Sequence, residues 1–218
     1  LKPHGQDSSK EQVVIAPFFE TDAKLLGHLQ DQTSTTDLLK TIFTLRTADG
    51  EKKYPLDTIR PKLFSQFMEM AGELDEDGWF QDVPFSLCHL DLEPRNILID
   101  ATHDKQRPII TGILDWDSAV LAPSFMSCKP PQWIWDWQDD EDEDEQTAND
   151  VPPTKECIKL KIAFEMAAGW DYMLYAYSPV YRLARRLVRF AIDGIRSAED
   201  IDEAEKILEE WNQTRSSS

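Results

Sequence analysis

The chain has 218 residues, of which 41% are hydrophobic and 10% aromatic, enough to build the core of a soluble globular protein. Its 23 basic and 41 acidic residues give a formal charge of −18, which would repel a phosphate backbone and argues against nucleic acid as a partner. No apolar run reaches the length of a membrane-spanning helix, so we expect no membrane association.

The first 55 residues are mixed in character, and we interpret them as an N-terminal segment that leads into one domain covering residues 1–218. Within this segment, residues 36–46 predict a helix with Asp37 as its cap. The first residue is Leu rather than Met, which favours a piece of a longer protein.

A second, longer helix is predicted over residues 56–74, after a polar turn at residues 48–55. Apolar residues recur there at helical spacing, which predicts an amphipathic helix. Its inward face would carry Ile59, Leu63, Phe67 and Met70.

The middle of the chain predicts a β-hairpin. Two short apolar runs, residues 97–99 and 109–114, read as buried strands separated by a polar segment that contains a proline. We expect them to pair in antiparallel fashion. If the hairpin is symmetric about residue 105, Asn96 before the first strand lies close to Asp115 after the second.

The C-terminal half is predicted to be helical, after an acidic loop. Residues 139–145 are seven consecutive acidic side chains, and we expect residues 139–153 to form a mobile loop. Residues 155–177 are apolar nearly all round and predict a central helix. Two amphipathic helices follow over residues 181–196 and 198–211, the first with its arginines on a solvated face. The predicted fold is α+β, mainly helical, with a small antiparallel hairpin at about 96–115.

Three oxygen-bearing side chains suggest chemistry around this hairpin. Asp91 lies in a loop and could accept a proton from a hydroxyl group, while Asn96 and Asp115 offer the hard oxygen ligands that suit Mg²⁺. The spacing from His89 to Asn96 matches H-x-D-x-x-x-x-N, the catalytic-loop pattern of kinases. This arrangement is the one that phosphoryl transfer needs.

The stretches "HLDLEPRNILID" and "ITGILDWDSA" resemble the aminoglycoside phosphotransferase and choline kinase-like family, including uncharacterised fungal members of it. The usual family form is H-G-D-L-x-x-x-N followed by I-D-W-E/D. The resemblance implies that Asp91 is the catalytic base, that Asn96 and Asp115 bind Mg²⁺, and that His89 supports the loop. It also makes Asp117 a further supporting residue or a ligand of a second metal ion.

The chain departs from the family pattern in two ways. Leu90 stands where the family usually has glycine. The eight glycines never form a Gly-rich phosphate loop, and no strand lysine motif is present, so the ATP-binding residues cannot be assigned. We therefore expect the C-terminal lobe of a kinase-like fold, which binds Mg²⁺ and the acceptor substrate and is inactive alone because the nucleotide-binding lobe is missing.

The resemblance implies transfer of phosphate from ATP to a hydroxyl group of a small molecule, which the acidic composition suggests could be cationic. A non-catalytic binding module of the same fold and a metal-dependent hydrolase are the alternatives. Trp133 and Trp135 could wall a substrate pocket, although packing is the simpler role for them. The face left open by the missing lobe could support a homodimer. Three widely spaced cysteines favour a reducing compartment, and we expect a cytoplasmic protein.

Overall fold

The structure, a computed structural model, describes residues 34–100, 102, 109–136 and 145–216. The helices within these residues are α1 (Thr35–Lys53), α2 (Ile59–Glu76), α3 (Lys155–Ala168), α4 (Trp170–Tyr177), α5 (Pro179–Asp193) and α6 (Ala198–Ser216). The strands are β1 (Phe85–Cys88), β2 (Ile97–Asp100), β3 (Ile109–Ile113) and β4 (Val120–Pro123). The predicted class, α+β and mainly helical, is confirmed.

The hydrophobic core lies among helices α1, α2, α5 and α6. Phe67 is fully buried, and its ring centroid lies 5.4 Å from that of Phe43 on α1 and 5.2 Å from that of Phe190 on α5. Such tilted aromatic contacts contribute about 0.5–1.5 kcal/mol each beyond the burial of their area. These contacts join α1, α2 and α5 in one core.

Helix α1 is longer than predicted and begins at a different cap. The hydroxyl of Ser34 accepts a hydrogen bond from the N–H of Asp37 at 3.1 Å, so the cap is Ser34 and the prediction of Asp37 is wrong. The predicted turn at 48–55 is also wrong, because the helix continues to Lys53. An ion pair between Lys53 and Asp49, one turn apart, lies in that last stretch.

Helix α2 confirms the predicted amphipathic helix, with bounds shifted by a few residues. Leu63, Phe67 and Met70 are buried as expected. Ile59 is 51% exposed, so its predicted place on the inward face is wrong. It is the first residue of the helix and precedes the stretch that packs on the core.

Strands β2 and β3 pair in antiparallel fashion, which confirms the predicted hairpin. Ile97 pairs with Ile113, so the start of the ladder is symmetric about residue 105 as expected. A register irregularity follows between Leu98 and Ile99. The prediction that both strands are buried is wrong, since Ile99 and Ile110 are 58% and 63% exposed. The hairpin therefore does not bury its apolar side chains against the rest of the described residues.

A second two-stranded sheet, which the sequence reasoning missed, joins β1 to β4. Cys88 pairs with Val120 in antiparallel register, and both are buried in the core. Each strand has only four residues, so neither shows a long alternating pattern in the sequence. This sheet connects the segment before His89 with the segment after Asp117.

The predicted central helix over residues 155–177 is wrong in two respects. The helix is interrupted at Gly169, so that two helices form instead of one. Gly169 has a φ of 82°, a conformation that residues with a side chain rarely adopt. Helix α3 has no buried residue, and Met166 is 84% exposed, so α3 is a surface helix. Its apolar composition therefore does not reflect a central position in the described structure.

Helices α5 and α6 confirm the two predicted amphipathic helices at the C-terminus. Leu183 and Leu187 of α5 face Ile207 of α6 in the core cluster. The predicted solvated face of arginines is wrong for Arg185, which is only 4% exposed. Its guanidinium donates to a carboxylate oxygen of Glu145 at 2.5 and 3.0 Å, which compensates the buried charge.

Most of the acidic run lies outside the described residues, which resume at Glu145. Residues Glu145–Asn149 form a short 3₁₀ helix, and Ala148 within it is buried. Lys161 of α3 donates to the carbonyls of Ala148 and Asp150 at 2.6 and 2.9 Å. The end of the acidic run is therefore attached to the helical body.

A bilayer-spanning helix is not found in the described part of the chain, where every helix is too short or too polar. The three cysteines, Cys88, Cys128 and Cys157, are free thiols.

Candidate functional site

Two antiparallel pairings hold the polar segments of the hairpin region together. Residues 89–96 connect β1 to β2, and residues 114–119 connect β3 to β4. Because β1 pairs with β4 and β2 pairs with β3, the two segments are fixed side by side at both ends. Residues that are distant in sequence are thereby brought into one small region.

Asn96 is the buried centre of this region, with only 5% of its surface exposed. Its side-chain Nδ2 donates to the carbonyl oxygen of Asp91 at 2.8 Å and to the Asp91 carboxylate at 3.3 Å. The backbone carbonyl oxygen of Asn96 accepts a hydrogen bond from the N–H of Leu114 at 2.8 Å. Since the amide nitrogen is directed at Asp91, Oδ1 is the Asn96 atom suited to bind a cation.

Asp115 follows Leu114 and is therefore adjacent to the residue that hydrogen bonds to Asn96. Its backbone is left-handed, with φ 60° and ψ 58°. Among the residues that the structure describes, Asp82 is the other non-glycine residue with a positive φ. Such a conformation costs on the order of 1 kcal/mol or more, and strained backbone of this kind concentrates at functional sites.

His89 connects the two segments through both of its ring nitrogens. Nε2 lies 2.8 Å from the carbonyl oxygen of Leu114, and Nδ1 accepts the N–H of Asp91 at 3.3 Å. Because a carbonyl oxygen can only accept, the ring proton is on Nε2. His89 thus joins the backbone at Asp91 to the backbone that precedes Asp115.

Trp116 is a residue of the region that the sequence reasoning missed. Its ring packs edge-on against His89 with centroids 4.8 Å apart, and its Nε1 donates to the carbonyl of Ile113 at 2.9 Å. These contacts restrict the imidazole orientation. Its place beside Asp115 in the "LDWD" stretch was the available signal.

Arg95 was also missed, although it contacts Asp91 directly. Its Nη2 lies 3.1 and 3.0 Å from the two carboxylate oxygens of Asp91, and its Nη1 donates to Glu93. Pro94, Arg95 and Asn96 form a single 3₁₀ turn, which brings Arg95 back to the carboxylate of Asp91. The signal in the sequence was the opposite charge of these two residues at a spacing of four.

The remaining predicted residues lie outside these direct contacts. Asp117 is exposed in the 3₁₀ turn that follows Asp115. Trp135 is 5% exposed and packs against Phe164 of α3, with ring centroids 5.7 Å apart, so packing is the observed role for this ring. Trp133 is half-buried beside it in the sequence.

The described side chains of this region supply few ligands for a divalent cation. Among the described residues, no group of three or more His, Cys, Asp and Glu side chains is arranged to hold a metal ion. Asn96 Oδ1 and the Asp115 carboxylate are hard oxygen donors of the kind that Mg²⁺ prefers, and two such donors would leave the rest of its shell to phosphates and water. The region therefore suits a cation that arrives with a phosphate ligand better than a metal ion bound by protein alone.

Comparison with known proteins gives one match. The profile described as the phosphotransferase enzyme family matches residues 19–147, more than half of the chain, and this stretch contains both polar segments. No curated protein and no solved structure matches the chain. On the strength of the profile match and the two linked segments, the chain belongs to the phosphotransferase enzyme family.

Proposed function

We propose that this chain is the Mg²⁺- and acceptor-binding lobe of an enzyme that transfers the terminal phosphate of ATP to a hydroxyl group of a small molecule. Members of the phosphotransferase family generally use ATP and Mg²⁺. The observation that carries the proposal is the joining of Asp91, Asn96 and the Leu114–Asp115 backbone by direct hydrogen bonds. Phosphoryl transfer depends on positioning and charge compensation, and this geometry supplies positioned oxygen atoms.

Each side chain has one role in this proposal. The Asp91 carboxylate orients the acceptor hydroxyl and takes its proton. Asn96 Oδ1 and the Asp115 carboxylate hold Mg²⁺, which compensates the charge of the phosphates when it is bound. His89 keeps the two backbone segments together through its two ring nitrogens. Asp117, exposed nearby, would support the metal ion from further away.

The nucleotide-binding residues are proposed to lie outside these 218 residues, because the sequence contains neither a Gly-rich phosphate loop nor a strand lysine motif. The free thiols agree with our proposal of a cytoplasmic protein. We propose a small acceptor, and a cationic one would be attracted by the formal charge of −18.

The metal site is tested by Mn²⁺ binding to the 218-residue chain, measured by electron paramagnetic resonance. We expect Asp115→Asn and Asn96→Ala each to weaken binding roughly tenfold or more, because each removes one of two protein ligands. Asp100→Asn, at the other end of the same hairpin, is the control and should bind like the wild type. Equal affinity in Asp115→Asn and wild type would overturn the metal assignment.

The base is tested by joining the chain to the sequence that precedes it in its gene. ATP consumption is then measured with Mg²⁺ and a panel of amino alcohols, sugars and aminoglycosides. We expect Asp91→Asn to slow transfer by about 10²–10⁴-fold, the usual contribution of a general base. An unchanged rate in this variant would refute the assignment. A chain that binds Mn²⁺ but supports no transfer would instead favour the non-catalytic binding module.

A further inference from the structure

The carboxylate of the proposed base is paired with a cation. Nη2 of Arg95 lies within 3.1 Å of both oxygens of Asp91, and Nη1 of the same guanidinium bonds to Glu93. The Arg95 side chain is 62% exposed, so its guanidinium can leave this position without disturbing the core. An exposed ion pair of this kind contributes only about 0–1 kcal/mol to the stability of the fold. Stability alone therefore does not account for an arginine at residue 95.

The charge around Arg95 is strongly one-sided. Within residues 85–100 and 109–128, all described by the structure, Arg95 is the sole Lys or Arg. The acidic residues of the same ranges are Asp91, Glu93, Asp100, Asp115 and Asp117. Along these segments a polyphosphate would meet five carboxylates and the guanidinium of Arg95.

A guanidinium binds phosphate and carboxylate with the same planar set of donors. Arg95 can therefore exchange one partner for the other. In the observed position it occupies both oxygens of Asp91, one of which the acceptor hydroxyl needs. Movement of Arg95 onto a phosphate would release that carboxylate and add positive charge where negative charge must be compensated.

We propose that Arg95 is a phosphate-contacting residue. Its side chain pairs with Asp91 when no phosphate is bound, and it moves to the terminal phosphate of ATP when the nucleotide binds. Asp91 is then free to contact the acceptor hydroxyl. This inference rests on the proposed function and assigns a residue to it that the predicted motif does not include. Binding of the phosphate and release of the Asp91 carboxylate are thereby coupled through the Arg95 side chain.

The test uses inorganic tripolyphosphate with saturating Mg²⁺ as the probe, and calorimetry on the 218-residue chain as the measurement. We expect Arg95→Ala to weaken tripolyphosphate binding roughly tenfold, the value of one charge-assisted hydrogen bond. Arg95→Lys should recover part of the affinity because it keeps the charge. Arg189→Ala is the matched control, since Arg189 is also exposed and faces Asp193 four residues away.

A second measurement separates contact with phosphate from a structural role. The Nε–Hε signal of Arg95 in a ¹⁵N-arginine spectrum, assigned by its loss in Arg95→Lys, should shift with Mg²⁺ and tripolyphosphate but not with Mg²⁺ alone. Binding of Mn²⁺ should be unchanged or stronger in Arg95→Ala, whereas a collapsed loop would lose it. If Arg95→Ala does not fold, Arg95→Gln, which keeps hydrogen-bond donors but no charge, replaces it.

The outcomes distinguish this inference from the proposed function. Normal Mn²⁺ binding together with equal tripolyphosphate affinity in Arg95→Ala and wild type would overturn the role of Arg95 alone. A wild-type chain that binds Mn²⁺ but not tripolyphosphate would overturn it as well. A wild-type chain that binds no Mn²⁺, with or without tripolyphosphate, would remove the proposed function, and the role of Arg95 with it.

Discussion

Leu90 shows how one residue can depart from a family pattern without breaking the loop. Its side chain is partly buried against the hydrophobic core, at the position where the family resemblance implies glycine. The backbone at Leu90 does not have a positive φ, so no glycine conformation is needed. The Leu90 side chain therefore anchors the loop that carries His89 and Asp91 to the core.

Replacing Leu90 tests this anchoring. We expect Leu90→Ala to lower the free energy of unfolding by about 1–2 kcal/mol, because apolar contacts with the core are lost. Leu90→Gly should lose about 0.5–1 kcal/mol more, since glycine adds freedom to the unfolded chain. Urea denaturation measures both. A glycine variant that is more stable than the alanine variant, or that binds Mn²⁺ more tightly than wild type, would contradict this view.

At the scale of elements, the hairpin shows what apolar composition can and cannot establish. Its strands and their pairing were predictable, because short apolar runs flank a polar turn with a proline. Their burial was not, because the same run fits a strand packed on a core and a strand covered by something outside the described residues. Leu98 and Ile109, at 46% and 56% exposure, are not packed on the core of the described residues.

A pair of substitutions measures that exposure. We expect Ile110→Thr to change the free energy of unfolding by less than about 0.5 kcal/mol, as surface substitutions usually do. Phe67→Ala in the core should cost about 3–5 kcal/mol. Chemical denaturation of both variants gives the comparison. A cost above about 2 kcal/mol for Ile110→Thr would show that the hairpin is covered in solution, for instance in a homodimer.

Much of the fold and of the candidate site could be predicted from the sequence, and the failures have two physical causes. Local spacing determined the helices α2, α5 and α6 and the positions of Asp91 and Asn96 in one loop. The sheet formed by β1 and β4 depends on long-range pairing, which periodicity does not report. The break at Gly169 is local and depends on the positive φ that a glycine allows. The contact of Arg95 with Asp91 likewise depends on the turn between them.

For the molecule as a whole, an ionic network joins the last two helices. Arg182 donates to the Glu210 carboxylate at 2.6 Å, and Arg186 contacts the same oxygen at 3.1 Å. Burial acts to raise the pKa of Glu210, but these two guanidinium groups outweigh it and the pKa lies below its usual value. Charged Glu210 therefore stabilises the folded state.

This network predicts a dependence of stability on pH. Because the folded pKa of Glu210 is lowered, its contribution is complete above the unfolded pKa and is lost as the pH falls through the folded value. We expect Glu210→Gln to lower the free energy of unfolding by about 2 kcal/mol near neutral pH, because Arg182 loses its carboxylate partner and Arg186 keeps only Glu203. Urea unfolding repeated at about pH 3 should show a smaller difference. A difference that stays constant with pH would exclude the ionic explanation.

The turn between α5 and α6 ties the start of the described chain to its end. Arg46 of α1 bonds to the carbonyls of Ala191 and Ile192, where helix α5 finishes. A Cβ atom at Gly194 would come within 2.5 Å of the Arg46 guanidinium, and Gly194 already has a φ of 77°. Any side chain at residue 194 would thus displace the arginine that closes the helix end. The small size of Gly194 therefore lets α1 stay attached to the end of α5 through Arg46.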